Sequence, residues 1–176
     1  MNAVTHNTYQ GKEMLYSALI QSNTSFQTFH QLPMLEGTSR HHAMTLFSCM
    51  KEETFQEHEV IYSAGTETMG KMYLIMHGRV RVADNSGHHY GTLQQGDVFG
   101  LFSFLDDSRQ HSATVQAASE LTVLTMERSL FNLIDAEDPK LAHHFMRFMF
   151  RLLSQKALKM ETEYASMHQF ALGRKV

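Results

Sequence analysis

Residues 96–115, GDVFGLFSFLDDSRQHSATV, decide how this chain is read. Gly96 and Gly100 stand where barrel corners would fall, because glycine allows φ values that other residues resist. LFSFL, residues 101–105, has room for a single turn of helix. Asp106, Asp107 and Ser108 form a polar turn, after which SATV resumes extended structure.

Outward from this stretch the texture is β-rich from Phe55 to Met126. The runs HEVIYSAG, KMYLIMHGRVRVAD, HYGTLQQGDVFG and SATVQAASELTVLTM are divided by glycines at near-regular spacing, which predicts a barrel or sandwich of hairpins. DNSGHH, residues 84–89, is the clearest hairpin turn, because Asp, Asn and Gly tolerate positive φ. Helical periodicity flanks this region. Met14, Leu15, Ala18 and Leu19 predict a helix over 9–22, and a second follows from about Ser39 to Met50. Beyond Met126, Ser129 is placed to cap a short helix, SLFNLIDAE. Asp138-Pro139 opens a long one that nothing breaks before Gly173. The expected organisation is an N-terminal helical segment over 1–50, a β-barrel over 51–128 and C-terminal helices over 129–172.

Two apolar stripes run along the long helix. Leu141, Phe145, Phe148 and Leu152 stay within its first turns. Ala142, Met146, Met149, Leu153, Ala157, Met160, Tyr164, Met167 and Ala171 continue to its end. Thirty-odd helical residues span roughly 45–50 Å, more than a small barrel covers. The short stripe is therefore expected against the barrel. The long one, carried by Met146, Met149, Leu153, Ala157, Met160, Tyr164 and Met167, is expected as the seam of a two-fold homodimer. The alternative folds the tail back on the N-terminal helices.

Helix, hairpin barrel, helical turn and long helix, together with Gly65, Gly78, Gly96 and Gly100 in register, resemble the cyclic-nucleotide-binding domain family from about Leu35 to the end of the long helix. The resemblance implies a mainly β fold, a jelly-roll barrel or double-stranded β-helix. It also implies a phosphate cassette built from Gly100, Leu101, Phe102 and Ser103, closed by His111, Ser112 and Ala113. In that family a Glu directly after the glycine accepts from the ribose 2′-OH, and an Arg directly before the Ser-Ala pair forks onto the phosphate. Here Leu101 and His111 hold those places.

Leucine accepts nothing, leaving a buried hydroxyl unpaired at about 1–3 kcal/mol. Histidine lacks the fixed charged fork of arginine, and losing that contact costs about 2–5 kcal/mol. Together the changes weaken cyclic-nucleotide binding by roughly 10² to 10⁵. Arg109 is the candidate substitute cation. Aligned at Asp138-Pro139, the base-facing positions of the long helix carry Leu152, Lys156 and Ala157, a third departure. The alternative use of Leu101, Phe102 and Phe104 is to fill the pocket as core.

The other constellations are weaker. Twelve histidines include the pairs His41-His42, His88-His89 and His143-His144, but none has the i, i+4 spacing of a helical zinc clamp, so no metal site is assigned. Asp106 and Asp107 read as turn formers, and Cys49, the single cysteine, as a buried inert thiol in an apolar run. Without a triad, a Walker loop or a dinucleotide fingerprint, no catalytic residue is assigned and no enzyme is expected. A net charge of −3 without a basic run argues against direct nucleic-acid binding. The absence of a signal peptide or 18-residue apolar stretch argues against membrane insertion and for a cytoplasmic protein.

The expected function is a dimeric regulatory module with this fold and a diverged pocket. It is not expected to bind cyclic AMP or cyclic GMP tightly, and it either senses another small anion or acts without ligand on a regulated protein partner. One alternative is a weak cyclic-nucleotide receptor using His111 and Ser112. Another is a catabolite-activator-type transcription regulator lacking its DNA-binding part, since few residues follow the long helix. The run EDPKLAHHFMRFMFRLLSQK is also similar to the helix ending such domains in some SulP-type anion transporters.

Overall fold

A computed structural model describes residues 18–172 apart from Gln21, Met69, Asp107 and Arg109. Residues 18–20 and 22 are helical, while Met14 and Leu15 of the expected first helix lie outside the described residues. Helix α1 (Thr24–His30) follows, capped by the Asn23 side chain, which accepts from the Phe26 N–H. A 3₁₀ turn (Pro33–Leu35) leads to α2 (Arg40–Ser48), where the Ser39 hydroxyl accepts from the His42 N–H. Eight strands come next: β1 (Lys51–Phe55), β2 (Val60–Tyr62), β3 (Lys71–His77), β4 (Arg79–Ala83), β5 (His89–Gln94), β6 (Val98–Phe99), β7 (Thr114–Ala117) and β8 (Leu121–Glu127). Helix α3 (Leu101–Leu105) interrupts them after β6. Helices α4 (Arg128–Glu137) and α5 (Pro139–Ala171) close the chain.

The strands form two antiparallel sheets, ordered β1-β8-β3-β6 and β2-β7-β4-β5. Alternation along β3 and β8 shows why both carry apolar residues on both faces. Met72, Leu74 and Met76, with Leu124 and Met126, face the helices. Tyr73, Ile75, Leu121 and Val123 face the opposite sheet. One central sheet thus separates a helical core from a barrel core.

The β region begins at Lys51, four residues before the apolar texture does. β1 is an edge strand whose charges are used: Lys71 Nζ lies 3.1 Å from Glu53 Oε1, and the buried Thr125 hydroxyl donates to Lys51 O at 3.2 Å. In the 84–89 hairpin, Asp84 Oδ1 accepts from the N–H groups of Ser86 and His88, both at 2.9 Å, and Gly87 takes φ 82°. Ser129 does not cap α4. β8 runs straight into the helix, whose N-cap is Glu127 without a side-chain bond, while the Arg128 N–H is satisfied by Gly70 O at 2.8 Å. Asp138 does cap α5, accepting from the Leu141 N–H at 3.1 Å.

The first turns of α5 are built into the fold. Ala142, Phe145, Phe148, Met149 and Leu152 are buried in the core with Phe26, Phe29, Leu46 and Phe104. Met149 is only 3% exposed within its own chain, so it is unavailable to the seam expected of it. The exposed 3-4 stripe passes one residue later, through Met146, Phe150, Leu153, Ala157, Met160, Tyr164, Met167 and Ala171, of which Leu153 alone is half-buried. Arg151 staples α5 to the N-terminal segment, donating to Met34 O, Glu36 O and Thr38 Oγ1 at 3.0–3.2 Å. Beyond Leu152 no described residue of α5 is buried, Lys159 still reaches Asp97 at the barrel rim, and Phe170 near the end is 87% exposed. Among the described residues no helix is long and apolar enough to cross a membrane.

Phe145 touches the rings of Phe104, Phe131 and Phe148 at centroid distances of 5.3–6.4 Å. Phe145→Ala is expected to lower the unfolding free energy by about 3–5 kcal/mol, read as a fall in the urea midpoint.

Candidate functional site

Between the barrel mouth and the outgoing α5 lies a cavity of about 630 Å³. The seven described residues of the cassette-like set all line it, whereas Arg109 lies outside the described residues. Gly100 starts α3 at φ 73°, where a Cβ would stand 2.6 Å from Lys71 O and 3.0 Å from the Tyr73 ring. No other residue fits that corner without moving β3.

Helix α3 is held from behind. Arg128, at the start of α4, donates from Nε to Phe104 O at 2.7 Å and also bonds Ser103 O. Its apolar side sorts the three residues that the sequence offered as pocket fillers. Leu101, 3% exposed, and Phe104 turn into the helical core. Phe102 is 60% exposed, with its ring beneath the Lys156 ammonium at 5.8 Å. The cavity therefore remains open beside Leu101.

The placement of His111 follows from its backbone. Its N–H donates to Thr66 O at 3.0 Å, and its carbonyl accepts from the Gly65 N–H at 2.8 Å. These bonds lock the barrel neck to the loop after β2 and aim the imidazole inward. The ring is 8% exposed, stacks on Tyr62 at 3.8 Å and 9°, and pairs Nδ1 with the Ser103 hydroxyl at 3.3 Å. Burial lowers its pKa from 6.5, so the ring is neutral at pH 7. Burial, followed by the neighbouring Tyr73, likewise raises the Tyr62 phenol, whose oxygen faces the Gly100 backbone as a weaker opposing influence. Where the family resemblance implied a guanidinium, a neutral, aromatic, well-packed group stands.

The α5 side of the cavity carries Leu152, Gln155, Lys156, Lys159, Met160 and Glu163. Lys159 Nζ lies 3.5 Å from Asp97 Oδ1, across the cavity rim. Tyr62, Arg128 and Phe150 were not singled out from the sequence. Strand alternation places Tyr62 on the inward face of β2, but its pairing with His111 joins residues 49 apart and has no local signal. Burial also raises the Cys49 thiol, against a weaker effect of the Ser48 hydroxyl. Among the described residues no three His, Cys, Asp or Glu side chains are grouped to hold a metal.

The family described as the cyclic nucleotide-binding domain matches residues 52–137, the barrel, α3 and α4 together. That segment matches this family's pattern, and the fold around it is a mainly β roll of the same kind with a long C-terminal helix. A cyclic nucleotide-binding domain from Methylobacillus flagellatus is similar at 18% identity and TM-score 0.65, covering 86% of this chain and 84% of its own. The Thermus thermophilus catabolite activator protein is similar at 21% and 0.56, covering 75% and 63%. A regulatory subunit of a cAMP-independent protein kinase A from Trypanosoma cruzi, bound to guanosine, is similar at 24% and 0.52, covering 77% and 50%. The chain thus spans less than two thirds of the last two. No curated protein matches the sequence.

His144, stacked on His42 at 3.8 Å between α5 and α2, also has a lowered pKa, through burial and then the charges of His42, His143 and Arg147. For both His111 and His144 the unfolded chain binds protons more readily than the folded one. Their stabilising contribution is therefore complete above about pH 6.5 and is lost as pH falls below it. The thermal midpoint is expected to drop on acidification from pH 7 to pH 5.5, and less steeply in a His111→Gln, His144→Gln variant.

Proposed function

We propose that this protein is a cytoplasmic, non-enzymatic regulatory module that does not bind cyclic AMP or cyclic GMP tightly. In this reading a different small anion occupies the cavity, and its binding shifts α3 against α5. One observation carries the reading: the neck position holds a buried, neutral imidazole packed on Tyr62 and bonded to Ser103. Among the described residues no positive charge stands at the neck, so a cyclic phosphate brought there would be desolvated opposite a neutral ring. The buried Leu101 adds a ribose hydroxyl without an acceptor.

The signalling route is physical contact. A ligand against Phe102 and Ser103 pushes on α3, Arg128 transmits the push to α4, and Phe104 transmits it to Phe145 on α5. A displacement of packed elements between two arrangements is the usual form of such a switch. The T. cruzi regulatory subunit, cAMP-independent and bound to guanosine, is a precedent for this fold with another ligand.

The output surface is the exposed stripe of α5. Phe150, Leu153, Ala157, Met160, Tyr164 and Met167 recur at 3-4 spacing, all exposed but the half-buried Leu153, the pattern of a two-stranded seam. The module is a homodimer through this face and acts on a regulated protein partner. It makes no direct contact with nucleic acid and does not insert into a membrane.

Calorimetric titration with cyclic AMP and cyclic GMP at pH 7 is expected to show no binding in the micromolar range. A micromolar, stoichiometric isotherm with either nucleotide would reverse the reading in favour of a cyclic-nucleotide receptor. In sedimentation the native chain is expected as a dimer and a Met160→Glu, Tyr164→Glu variant as a folded monomer. A monomeric native chain at micromolar concentration would remove the seam.

A further inference from the structure

The cavity has a neutral imidazole at the barrel neck, and on the opposite wall a cation with no ion-pair partner among the described residues. Lys156 projects from the first free turn of α5 and lines the cavity. It is half-buried, with its ammonium 5.8 Å from the centre of the Phe102 ring. Among the described residues it forms no ion pair. The acid that acts on it, Asp97, is already engaged: Oδ2 accepts from the Gln94 N–H at 2.9 Å, and Oδ1 faces Lys159 Nζ at 3.5 Å. Glu163, two turns further along α5, is the other carboxylate lining the cavity and is exposed.

An ammonium has three donors and no acceptor capacity, and removing it from water without partners is unfavourable. Burial accordingly pushes the Lys156 pKa down, against the opposing pull of Asp97 and in the same sense as the push of Lys159. An aromatic face is a partial substitute for an anion, not an equal one. The opposite wall, formed by Tyr62, Phe99, Leu101 and the neutral His111, is aromatic and apolar. The cavity is thus uneven: both of its lysines stand on the helix, and the barrel side combines an aromatic patch with one carboxylate, Asp97, that already faces Lys159.

We infer that Lys156 is the group that takes the ligand's negative charge, so that the anion is gripped from the long helix and not from the barrel neck. The inference rests on the regulatory reading above and adds to it the chemistry of the ligand. That ligand is a small organic oxyanion with a flat, apolar or aromatic body, lying with its body on Tyr62, Phe99 and Leu101 and its charge toward α5. Gripping the anion draws the lysine head off Phe102. The same contact that binds the ligand therefore changes how α5 sits on α3, with no relay through the barrel.

The test uses the full chain with its lysines reductively ¹³C-dimethylated, which preserves their charge. The Lys156 signal is assigned by its loss in Lys156→Gln, a substitution to another good helix former at a helix surface. Inorganic phosphate and benzoate are the two probes, titrated against chloride at constant ionic strength. Phosphate tests for a bare oxyanion site and benzoate for an oxyanion with an aromatic body. The expected result is a saturable shift of the Lys156 signal and a rise in its ionisation midpoint, with benzoate saturating at lower concentration. Stabilisation of the native chain by benzoate, read as the thermal midpoint, should need about tenfold more probe in Lys156→Gln.

A Lys156 signal that moves no more than those of the other lysines with either probe overturns the inference. So does a benzoate response that survives Lys156→Gln and disappears in His111→Gln, which would return the anion to the neck. The two readings fail separately. Micromolar binding of cyclic AMP, unaffected by Lys156→Gln, sinks both. Silence toward phosphate, benzoate and cyclic AMP alike sinks the assignment of Lys156 and leaves standing the reading that cyclic AMP is not bound tightly.

Discussion

A continuous run of phenylalanine rings ties the cassette-like helix to the rest of the molecule. From Phe104 it passes through Phe131 and Phe145 to Phe148, then through Phe29 and Phe47 to Phe26, with successive centroids 5.3–6.4 Å apart. Tilted and edge-on aromatic contacts of this kind are directional as well as apolar, so each ring limits the orientation of the next. Helices α1, α2, α4 and α5 do not share hydrogen-bonded strands with the barrel; they share this run. Close-packed interiors resist small distortions and yield by changing arrangement. A five-residue helix at the rim of a cavity thereby becomes mechanically continuous with a helix several times its length.

The barrel side contributes rigidity of another kind. Strands β3 and β8 are buried on both faces, and Gly100 leaves β6 at a corner that admits no side chain. Arg128 satisfies the carbonyls of α3 from below, and the neck is hydrogen-bonded to the loop after β2 on both sides of His111. The backbone at these described corners of the cavity is thus held by sheet pairing or by specific hydrogen bonds. Chemical variation is confined to what the side chains present, and here Leu101 and His111 stand at the start of α3 and at the neck within the roll.

Much of this was legible from the chain itself, for physical reasons that differ by element. The glycines at 65, 78, 96 and 100, the DNSGHH turn and the Asp138-Pro139 helix start were readable because each depends on local backbone geometry. The departures at Leu101 and His111 were readable because position relative to the glycines assigns them. What escaped was non-local or depended on which face a helix buries. β1 begins in charged residues that pair only once β3 and β8 are beside it. Ser129 looked like a cap because nothing local reveals that Gly70 already satisfies the Arg128 N–H. Met149 and Phe150 compete for one seam position, and only packing against α1 and α2 decides between them. Tyr62 gains its meaning from a ring far away in sequence, His111, and Lys156, which the sequence placed only as a base-facing position, gains its contact with Phe102 from the fold.

Arg151 gives the long helix a fulcrum. Its three bonds to the segment around Met34, Glu36 and Thr38 lie at the point where α5 stops being core, and about 28 Å of helix extends past Leu152. A tilt of about 10° at such a pivot displaces the far end by about 5 Å, roughly one helical turn. Motions within the cavity too small to alter the barrel would be magnified to the length of a side chain at Phe170. The protein's geometry is that of a lever whose short arm is the aromatic core and whose long arm is the only part a neighbour needs to feel.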